Sequence, residues 1–414
     1  MQNTFTDLNR RAFLKRSALV SLSPLVPAFL ARSVAAADAK PDDRMLVVIQ
    51  LDGGNDGLNM LVPFADELYA RHRKELLIKP QDVLKLDANV GLHPQMKPAA
   101  DLFESGRLGV VQGVGYPNSN RSHFESMAIW HHARILGEDH DGIGWLGRTA
   151  DTWLKPGDTS PIAISPIAIS TGSIYVGAEA PPVALRARRA QVVSLENEAD
   201  LKLAPNVAAK SAATAVANDL SAFVQRTVDQ SYAAARQFSA SPAGQAGAND
   251  GYPASKLGQK LRLVSKLLKL GGGTRLYYAS QSGYDTHSAQ AFTHGQLLRE
   301  FSAALKAFLD DLRGARLDER VVVLAFSEFG RRVEENASAG TDHGAAGPVF
   351  LAGSCVRAGV LNKHPSLAEL DAGDLKMQVD FREVYAALSQ NWLSVEPGAI
   401  LRETFAPFDC LRGA

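Results

Sequence analysis

The stretch VVVLAFSEFGRRVEENASAGTDHG, from Val321 to Gly344, decides how the rest of the chain is interpreted. It opens with six apolar residues, a run short enough for a buried strand of a parallel sheet and without the spacing of a helix. Polar residues begin where this run ends and include the triplet 341–343, Thr-Asp-His. In open α/β sheets, ligands bind beyond the carboxyl ends of the strands. The stretch therefore predicts half of a metal site, which other strand ends must complete.

The composition is that of a globular protein with a substantial core. The chain has 414 residues, of which 46% are hydrophobic and 21% charged, enough for one large α/β domain or two ordinary ones. Its 44 basic and 44 acidic residues balance, and no basic stripe indicates a nucleic-acid partner. The two cysteines, Cys355 and Cys410, do not form a metal motif, and the sequence leaves open whether they pair.

The N-terminus predicts export. Arg10 and Arg11 are followed by Phe-Leu-Lys, a modest apolar stretch and small residues, which is the pattern of a twin-arginine signal peptide over residues 1–37. Pro24 and Pro27 interrupt the apolar stretch well short of the ~20 residues that a membrane helix needs. We therefore expect the twin-arginine translocase to carry the folded protein to the periplasm or beyond, and we do not expect an integral membrane protein.

Residues 38–414 are predicted to form a single α/β domain. Apolar runs that end in polar loops, each followed by a helical pattern, predict a central, mostly parallel sheet with helices on both faces. The predicted strands are 45–51, 108–114, 274–280, 321–326 and 348–352, and the main helices are 124–136, 255–270, 288–313 and 381–393. We expect an irregular insert or subsidiary sheet around 155–195 and a helical cover around 204–270.

Polar side chains follow four of the predicted strands. Carboxylate and imidazole ligands of this kind suit one or two divalent ions, with Zn, Mn, Mg and Ca all open. Such a pair of ions can clamp the attacking and leaving oxygens of an ester. The candidate metal ligands are Asp52, His123, Asp285, His287, Glu328, Asp342 and His343.

Two residues next to the second strand are candidates for catalysis. Ser122 is a candidate nucleophile, because a hydroxyl beside cations loses its proton readily, and Arg121 is suited to pairing with a phosphate or sulfate group. Structural alternatives exist: taken alone, Ser122-x-x-Glu125 is better explained as a capping box. Glu328 with Arg331 fits a structural salt bridge, and we interpret His131 and His132 as surface or cap residues.

Several longer motifs carry a family resemblance that spans essentially the whole chain. Together with the twin-arginine leader, they resemble the secreted bacterial family catalogued as domain of unknown function 1501. That family is grouped by fold with the alkaline phosphatase and sulfatase superfamily, whose members use a central sheet, a Ser, Thr or Cys nucleophile and one or two metals. The motifs are LDGGNDGLNMLVP (51–63), NRSHFES (120–126), GYDTH (283–287), SEFGRR (327–332), GTDHG (340–344) and VDFREVYAAL (379–388).

The resemblance implies roles at matching positions. Asp52 resembles the first-strand aspartate of the second metal, and Ser122 falls where the nucleophile sits. Asp285 and His287 resemble an Asp-plus-His metal pair, with one intervening residue where three are usual, and His343 resembles the last metal histidine.

A second departure from the superfamily concerns one dipeptide. Glu328-Phe329 stands where an Asp-His pair of ligands is usual, so the second metal site is predicted to be altered. We hypothesise that His123 substitutes for the missing imidazole.

Two functions remain open on the sequence. The first is an exported, metal-dependent hydrolase of phosphate or sulfate esters, acting on a small-molecule or cell-envelope substrate. The alternative is a non-catalytic binding or envelope-assembly protein that keeps the hydrolase fold, as the loss of a histidine at Phe329 suggests. A dinucleotide-dependent oxidoreductase is disfavoured, because no GxGxxG follows the first strand.

Overall fold

The computed structural model describes residues 44–135, 141–154, 172–190, 192–198, 251–271 and 273–413. These residues belong to one compact unit, Asp42–Ala414. The predicted signal peptide, residues 155–171 of the predicted insert and residues 204–250 of the predicted helical cover lie outside the described residues.

We number the strands and helices of the described residues in chain order. The strands are β1 Met45–Asp52, β2 Leu61–Val62, β3 Leu84–Lys85, β4 Gly91–Leu92, β5 Leu108–Gly115, β6 Ser173–Val176, β7 Val192–Leu195, β8 Leu276–Ser282, β9 Val321–Phe326, β10 Gly347–Ala352, β11 Gly359–Val360 and β12 Val379–Asp380. The helices are α1 Gly57–Met60, α2 Glu67–His72, α3 Lys97–Glu104, α4 His123–His132, α5 Trp145–Thr152, α6 Lys256–Leu270, α7 Gln290–Gly314, α8 Phe381–Ala387 and α9 Pro397–Leu401.

The central sheet has nine strands in the order β11-β5-β10-β9-β1-β8-β6-β7, with β12 also paired to β5. β1 lies in the middle and runs parallel to β8 and β9. β10 runs antiparallel to both of its neighbours, β5 and β9, and the other pairings of this sheet are parallel. The prediction of a mostly parallel central sheet is confirmed.

Alternating side chains of β9 build two cores, one on each face of the sheet. The side chains of Val321, Val323 and Ala325 join the core that contains α3, α6 and α7. Val322, Leu324 and Phe326 join the opposite core with α4, α5, α8 and α9. The prediction of helices on both faces is therefore confirmed, and the continuous apolar run of β9 is explained by burial on both sides.

The structure corrects two expectations about the elements. Residues 173–176 and 192–195 extend the central sheet as β6 and β7 and form no separate sheet, because Ile174 and Val176 enter one core while Tyr175 enters the other. The predicted closing helix is a helix only to Ala387, and a π-helical turn continues from Leu388 to Trp392.

β1, β8 and β9 are paired in parallel, and β5 runs in the same direction because β10 lies antiparallel between β5 and β9. The carboxyl ends of these four strands therefore lie at one edge of the sheet. The loops after these strands carry the predicted site residues, so the topology alone places those residues near one another. Among the helices that the structure describes, none is long and apolar enough to cross a membrane.

Candidate metal centre

Asp285, in the loop after β8, is the point where three histidines meet. Its Oδ1 atom lies 3.0 Å from His287 Nε2 and 3.1 Å from His343 Nε2. His123 Nε2, at the first residue of α4, lies 3.4 Å from the same oxygen. The Nε2 atoms of His287 and His343 are 2.9 Å apart. The structure thus brings together four of the seven predicted metal ligands, from the loops after β5, β8 and β9.

Each of these histidines has its other ring nitrogen, Nδ1, against an oxygen atom. Carbonyl and carboxylate oxygens accept hydrogen bonds, so the Nδ1 atoms donate, and the Nε2 lone pairs stay available. Histidines that hold metals are oriented by this kind of support. The pairs are His123 with Glu328 Oε1 at 2.8 Å, His343 with the Arg121 carbonyl at 2.8 Å, and His287 with Asp342 Oδ1 at 3.3 Å.

These residues fit a divalent cation. The Nε2 atom of His123 is buried and finds no hydrogen-bond partner among the described residues. Ligand atoms of His123, Asp285 and His343 all lie within 4.8 Å of one another. A tetrahedral site with metal–nitrogen bonds of about 2.0 Å separates its ligand atoms by about 3.3 Å. The separations of 3.4 Å from Asp285 Oδ1 to His123 Nε2 and of 3.1 Å to His343 Nε2 are close to that value.

Charge at the centre also favours a cation. Burial raises the pKa of Asp285, but the hydrogen bond from Arg331 and the positive charge of Arg331 outweigh burial, so that the pKa falls to about 2. Asp285 is therefore an anion at neutral pH. The hydrogen bond to Glu328 raises the pKa of His123, against the effect of burial. A proton thus competes with a cation for His123, and metal binding at this site should weaken as the pH falls.

Arg331 holds the loops of the site together. Its guanidinium group is fully buried and donates to the carbonyl oxygens of Gly54 at 2.5 Å and Thr341 at 2.8 Å, and also to that of Gly53. It donates further to the Tyr284 carbonyl at 3.1 Å and to Asp285 Oδ1 at 2.7 Å. One side chain therefore joins the loops that follow β1, β8 and β9.

The loops approach so closely that one position requires glycine. Gly53 has a φ of +117°, and a Cβ atom there would lie 2.5 Å from the backbone nitrogen of Asp285. A larger residue would be strained and would also push the two loops apart.

The proposed salt bridge between Glu328 and Arg331 is wrong. Arg331 pairs with Asp285, whereas the fully buried Glu328 accepts hydrogen bonds from Gly53 N at 3.0 Å and Ser327 Oγ at 2.9 Å, besides its contact with His123. Glu328 therefore supports a histidine in this arrangement, and its oxygens are not aimed at the centre.

Two other predicted ligands also lie outside the cluster of ligand atoms. Asp52 accepts a hydrogen bond from Gln50 Nε2 at 3.2 Å and another from Ser282, and burial raises its pKa. Asp342 binds His287 and accepts from Asn336 Nδ2 at 3.1 Å. The structure brings both carboxylates to the same sheet edge without directing them at Asp285.

The capping-box explanation of Ser122 is wrong. Ser122 precedes α4, but its side chain makes no capping hydrogen bond in the described structure. Asn120 takes over the role of Glu125, since its Oδ1 accepts from Ser122 N at 2.7 Å, and its Nδ2 donates to the Glu125 carboxylate. The Ser122 hydroxyl, next in the chain to His123, is thus not committed to the helix terminus.

Arg121 is engaged elsewhere. Its guanidinium group forms an ion pair with Asp374 at 2.6 Å, and only its carbonyl oxygen supports the centre, through His343. An anion would have to compete with Asp374 for this side chain.

Phe329 forms an apolar wall beside the centre. Its ring centroid lies 4.9 Å from those of both His123 and His343, and the side chain is buried. A hydrocarbon ring thus packs against two of the histidines at this position.

Sequence reasoning missed a buried polar network behind the centre. Asp56 and Arg73 form an ion pair at 2.6 Å, and Gln290 donates to the same carboxylate. His294 bonds to Asn55 Oδ1 at 2.9 Å. Of these residues, Asp56 and Asn55 were visible only as part of the glycine-rich turn after β1, and the sequence contains no signal for their partners.

The expectation for His131 and His132 is also wrong, because both are buried. His131 Nε2 lies 3.1 Å from Gln50 Oε1 and 3.2 Å from the Tyr278 hydroxyl, and burial lowers its pKa to about 3. Residues 129–133 are all buried, so the end of α4 has no solvent-facing side for them.

A family of known sequences matches most of the chain. The family described as "Protein of unknown function (DUF1501)" matches residues 43–369. The chain belongs to the DUF1501 family. A search of curated proteins gave no match. Both the predicted family and the predicted fold class are confirmed.

Several solved structures resemble this DUF1501 protein. One is the sulfatase PsFucS1 from Pseudoalteromonas sp., which is similar over 92% of this chain and 72% of that chain, with 9% identity and a TM-score of 0.40. A protein in the alkaline phosphatase superfamily from Vibrio parahaemolyticus is similar over 88% of this chain and 71% of that chain, with 11% identity and a TM-score of 0.36. The C-terminal periplasmic domain of EcEptC from Escherichia coli, in complex with Zn, is similar over 75% and 73%, with 10% identity and a TM-score of 0.34.

Proposed function

We propose that this protein is an exported, metal-dependent hydrolase of phosphate or sulfate esters. The observation that carries the proposal is the convergence of three histidine Nε2 atoms on Asp285 Oδ1, each histidine being held at Nδ1 by an oxygen. Imidazole-rich sites of this kind suit Zn²⁺ better than Mg²⁺ or Ca²⁺. We place the protein in the periplasm or outside the cell, because residues 1–37 have the pattern of a twin-arginine signal.

The residues of the centre have two proposed roles, binding of the cation and reaction with the ester. His123, Asp285 and His343 would hold a cation, and His287 contacts two of these three. A cation bound there would act as a Lewis acid on an ester oxygen. Ser122 is the proposed nucleophile, since it lies next to His123 and makes no capping hydrogen bond in the described structure. The free amides of the first turn of α4 would favour an anionic group beside it.

Metal content and hydrolysis test the proposal together. Purified protein would be analysed for bound Zn, Mn, Mg and Ca, then assayed on p-nitrophenyl phosphate monoesters, phosphate diesters and sulfate esters. We expect stoichiometric metal in the wild type and in Ser122→Ala, with hydrolysis lost in Ser122→Ala. His343→Ala should lose both metal and activity. His364→Asn is the matched control, because the Nδ1 atom of His364 contacts the Pro365 carbonyl and not the centre.

The second candidate is a protein that binds without catalysis. Two observations favour it: Phe329 fills the place of a ligand, and Arg331 already supplies a positive charge 2.7 Å from Asp285. Wild-type protein that contains no metal, and whose behaviour on every ester equals that of His343→Ala, would rule out the hydrolase and leave the binding function.

A further inference from the structure

Gln290, the first residue of α7, is a buried hydrogen-bonding hub behind the centre. Its Oε1 atom accepts from Thr286 Oγ1 at 3.0 Å and from Thr341 Oγ1 at 2.6 Å. Its Nε2 atom donates to Asp56 Oδ2 at 2.5 Å. The side chain is fully buried, so water cannot replace these partners.

The two threonines belong to the two histidine-bearing loops. Thr286 lies between Asp285 and His287, and Thr341 lies two residues before His343. The loops also contact each other directly, since Thr341 N donates to the Thr286 carbonyl at 3.2 Å. A single amide oxygen thus fixes the separation of the loops that carry His287 and His343.

The hub is itself anchored. Asp56 is held by Arg73 through two hydrogen bonds, of 2.6 and 3.0 Å, and both side chains are buried. Arg73 also donates to the carbonyls of Val333 at 2.7 Å and Arg332 at 3.0 Å. Because Gln290 is tied to a buried ion pair, its amide cannot rotate without leaving charged groups unsatisfied.

We propose that Gln290 is a positioning residue that sets the spacing of His287 and His343 and thereby the affinity of the centre for a divalent cation. The inference rests on the proposed metal site. The Nε2 atoms of these histidines are only 2.9 Å apart, so a small displacement of either loop changes ligand geometry directly. Residues behind metal ligands commonly contribute tenfold to a hundredfold to affinity.

The experiment measures the zinc affinity of full-length protein that has been freed of metal, by competition with a chromogenic chelator. Gln290→Met keeps the length of the side chain and removes its hydrogen bonds. Gln112→Met is the matched control, since Gln112 is also buried and its side chain donates to the Asn362 carbonyl at 2.7 Å, away from the centre. We expect Gln290→Met to bind zinc ten to a hundred times more weakly, and Gln112→Met to bind like the wild type even where both lower the unfolding midpoint.

Thr341→Val provides a milder test if Gln290→Met does not fold. It removes one hydrogen bond to Gln290 and retains the carbonyl that Arg331 contacts, and we expect several-fold weaker zinc binding. Zinc affinities of the Gln290 and Thr341 variants within twofold of the wild type would overturn the positioning role while leaving the metal site intact. Wild-type protein that binds no zinc would overturn both the metal site and this inference.

Discussion

Removing Arg331 should loosen the whole edge of the sheet. The buried guanidinium donates to four backbone carbonyls, in three separate loops, and to Asp285. In Arg331→Met these carbonyls lose a charged donor. A hydrogen bond to a charged group contributes about 1.5–3 kcal/mol. Allowing for water that enters the space, we expect the free energy of unfolding to fall by about 5 kcal/mol.

Asp285 adds little to this figure, because its side chain is half exposed and the contact with Arg331 is screened by solvent. Arg331→Lys separates charge from geometry. A lysine retains the charge but offers three donors where the guanidinium uses five contacts, so about 2 kcal/mol should be lost. The control is Arg357→Met, since Arg357 pairs with Asp409 on the surface with both side chains more than half exposed; it should cost less than about 1 kcal/mol.

Urea unfolding followed by circular dichroism, with chelator present throughout, measures all three variants without any contribution from bound metal. The reasoning would be refuted if Arg331→Met lost no more stability than Arg357→Met. It would be refuted in part if Arg331→Lys matched the wild type, because the forked geometry of the guanidinium would then be unimportant.

The structure also predicts a pH dependence of stability, a stabilisation by zinc and an effect of substituting Phe329. Burial lowers the pKa of His294 to about 4. Between pH 6.5 and 4, His294 is therefore protonated in the unfolded state and neutral in the folded state. From this group alone, the free energy of unfolding should fall by about 2 kcal/mol on going to pH 5. Urea midpoints at pH 7.5 and 5.0 should therefore differ less in His294→Gln than in the wild type, and equal differences would contradict the assignment. Zinc at a hundred times its dissociation constant should raise the unfolding free energy by about 2.7 kcal/mol, an increase that thermal unfolding should not show for His343→Ala. Phe329→His would place an imidazole beside His123 and His343 and should tighten zinc binding in a competition titration. Unchanged or weaker zinc binding would show that an imidazole at this position does not serve as a further ligand.

The sequence predicted the central sheet well, because a strand that is buried on both faces consists of a continuous run of apolar residues. β9 has the bounds expected from its apolar run, 321–326, and α6 matches its predicted span to within one residue. β6 was not predicted as a strand of the central sheet and fell within the insert expected around 155–195, because four residues in a stretch rich in small side chains carry too little of that pattern.

The sequence predicted where the candidate centre lies, but not which residue has which role in it. The strand-end rule identifies Asp285, His287 and His343, because parallel strands share an edge. It does not distinguish a ligand from its support: Glu328 and Asp342 have ligand chemistry, yet each contacts the Nδ1 atom of a histidine. That distinction depends on which ring nitrogen faces which oxygen atom. The spacing of residues along the sequence does not contain this information.

The network behind the centre was beyond sequence reasoning for a different reason. Asp56 contacts Arg73 across 17 positions and Gln290 across 234. Each residue in isolation is an ordinary turn or helix residue, and only the fold makes one carboxylate the partner of both.

The arrangement of supports bears on the choice between the two functions. A structural remnant needs its loops held together, and Arg331 with Gln290 would suffice for that. Neither role requires three histidines whose Nδ1 atoms are satisfied and whose Nε2 atoms are directed at one carboxylate oxygen. Among the described residues, the buried Nε2 atom of His123 has no hydrogen-bond partner. An unsatisfied buried nitrogen costs stability in a protein that binds nothing there. The cost is offset when the nitrogen binds a cation, so the orientation of the rings favours a protein that still uses the site.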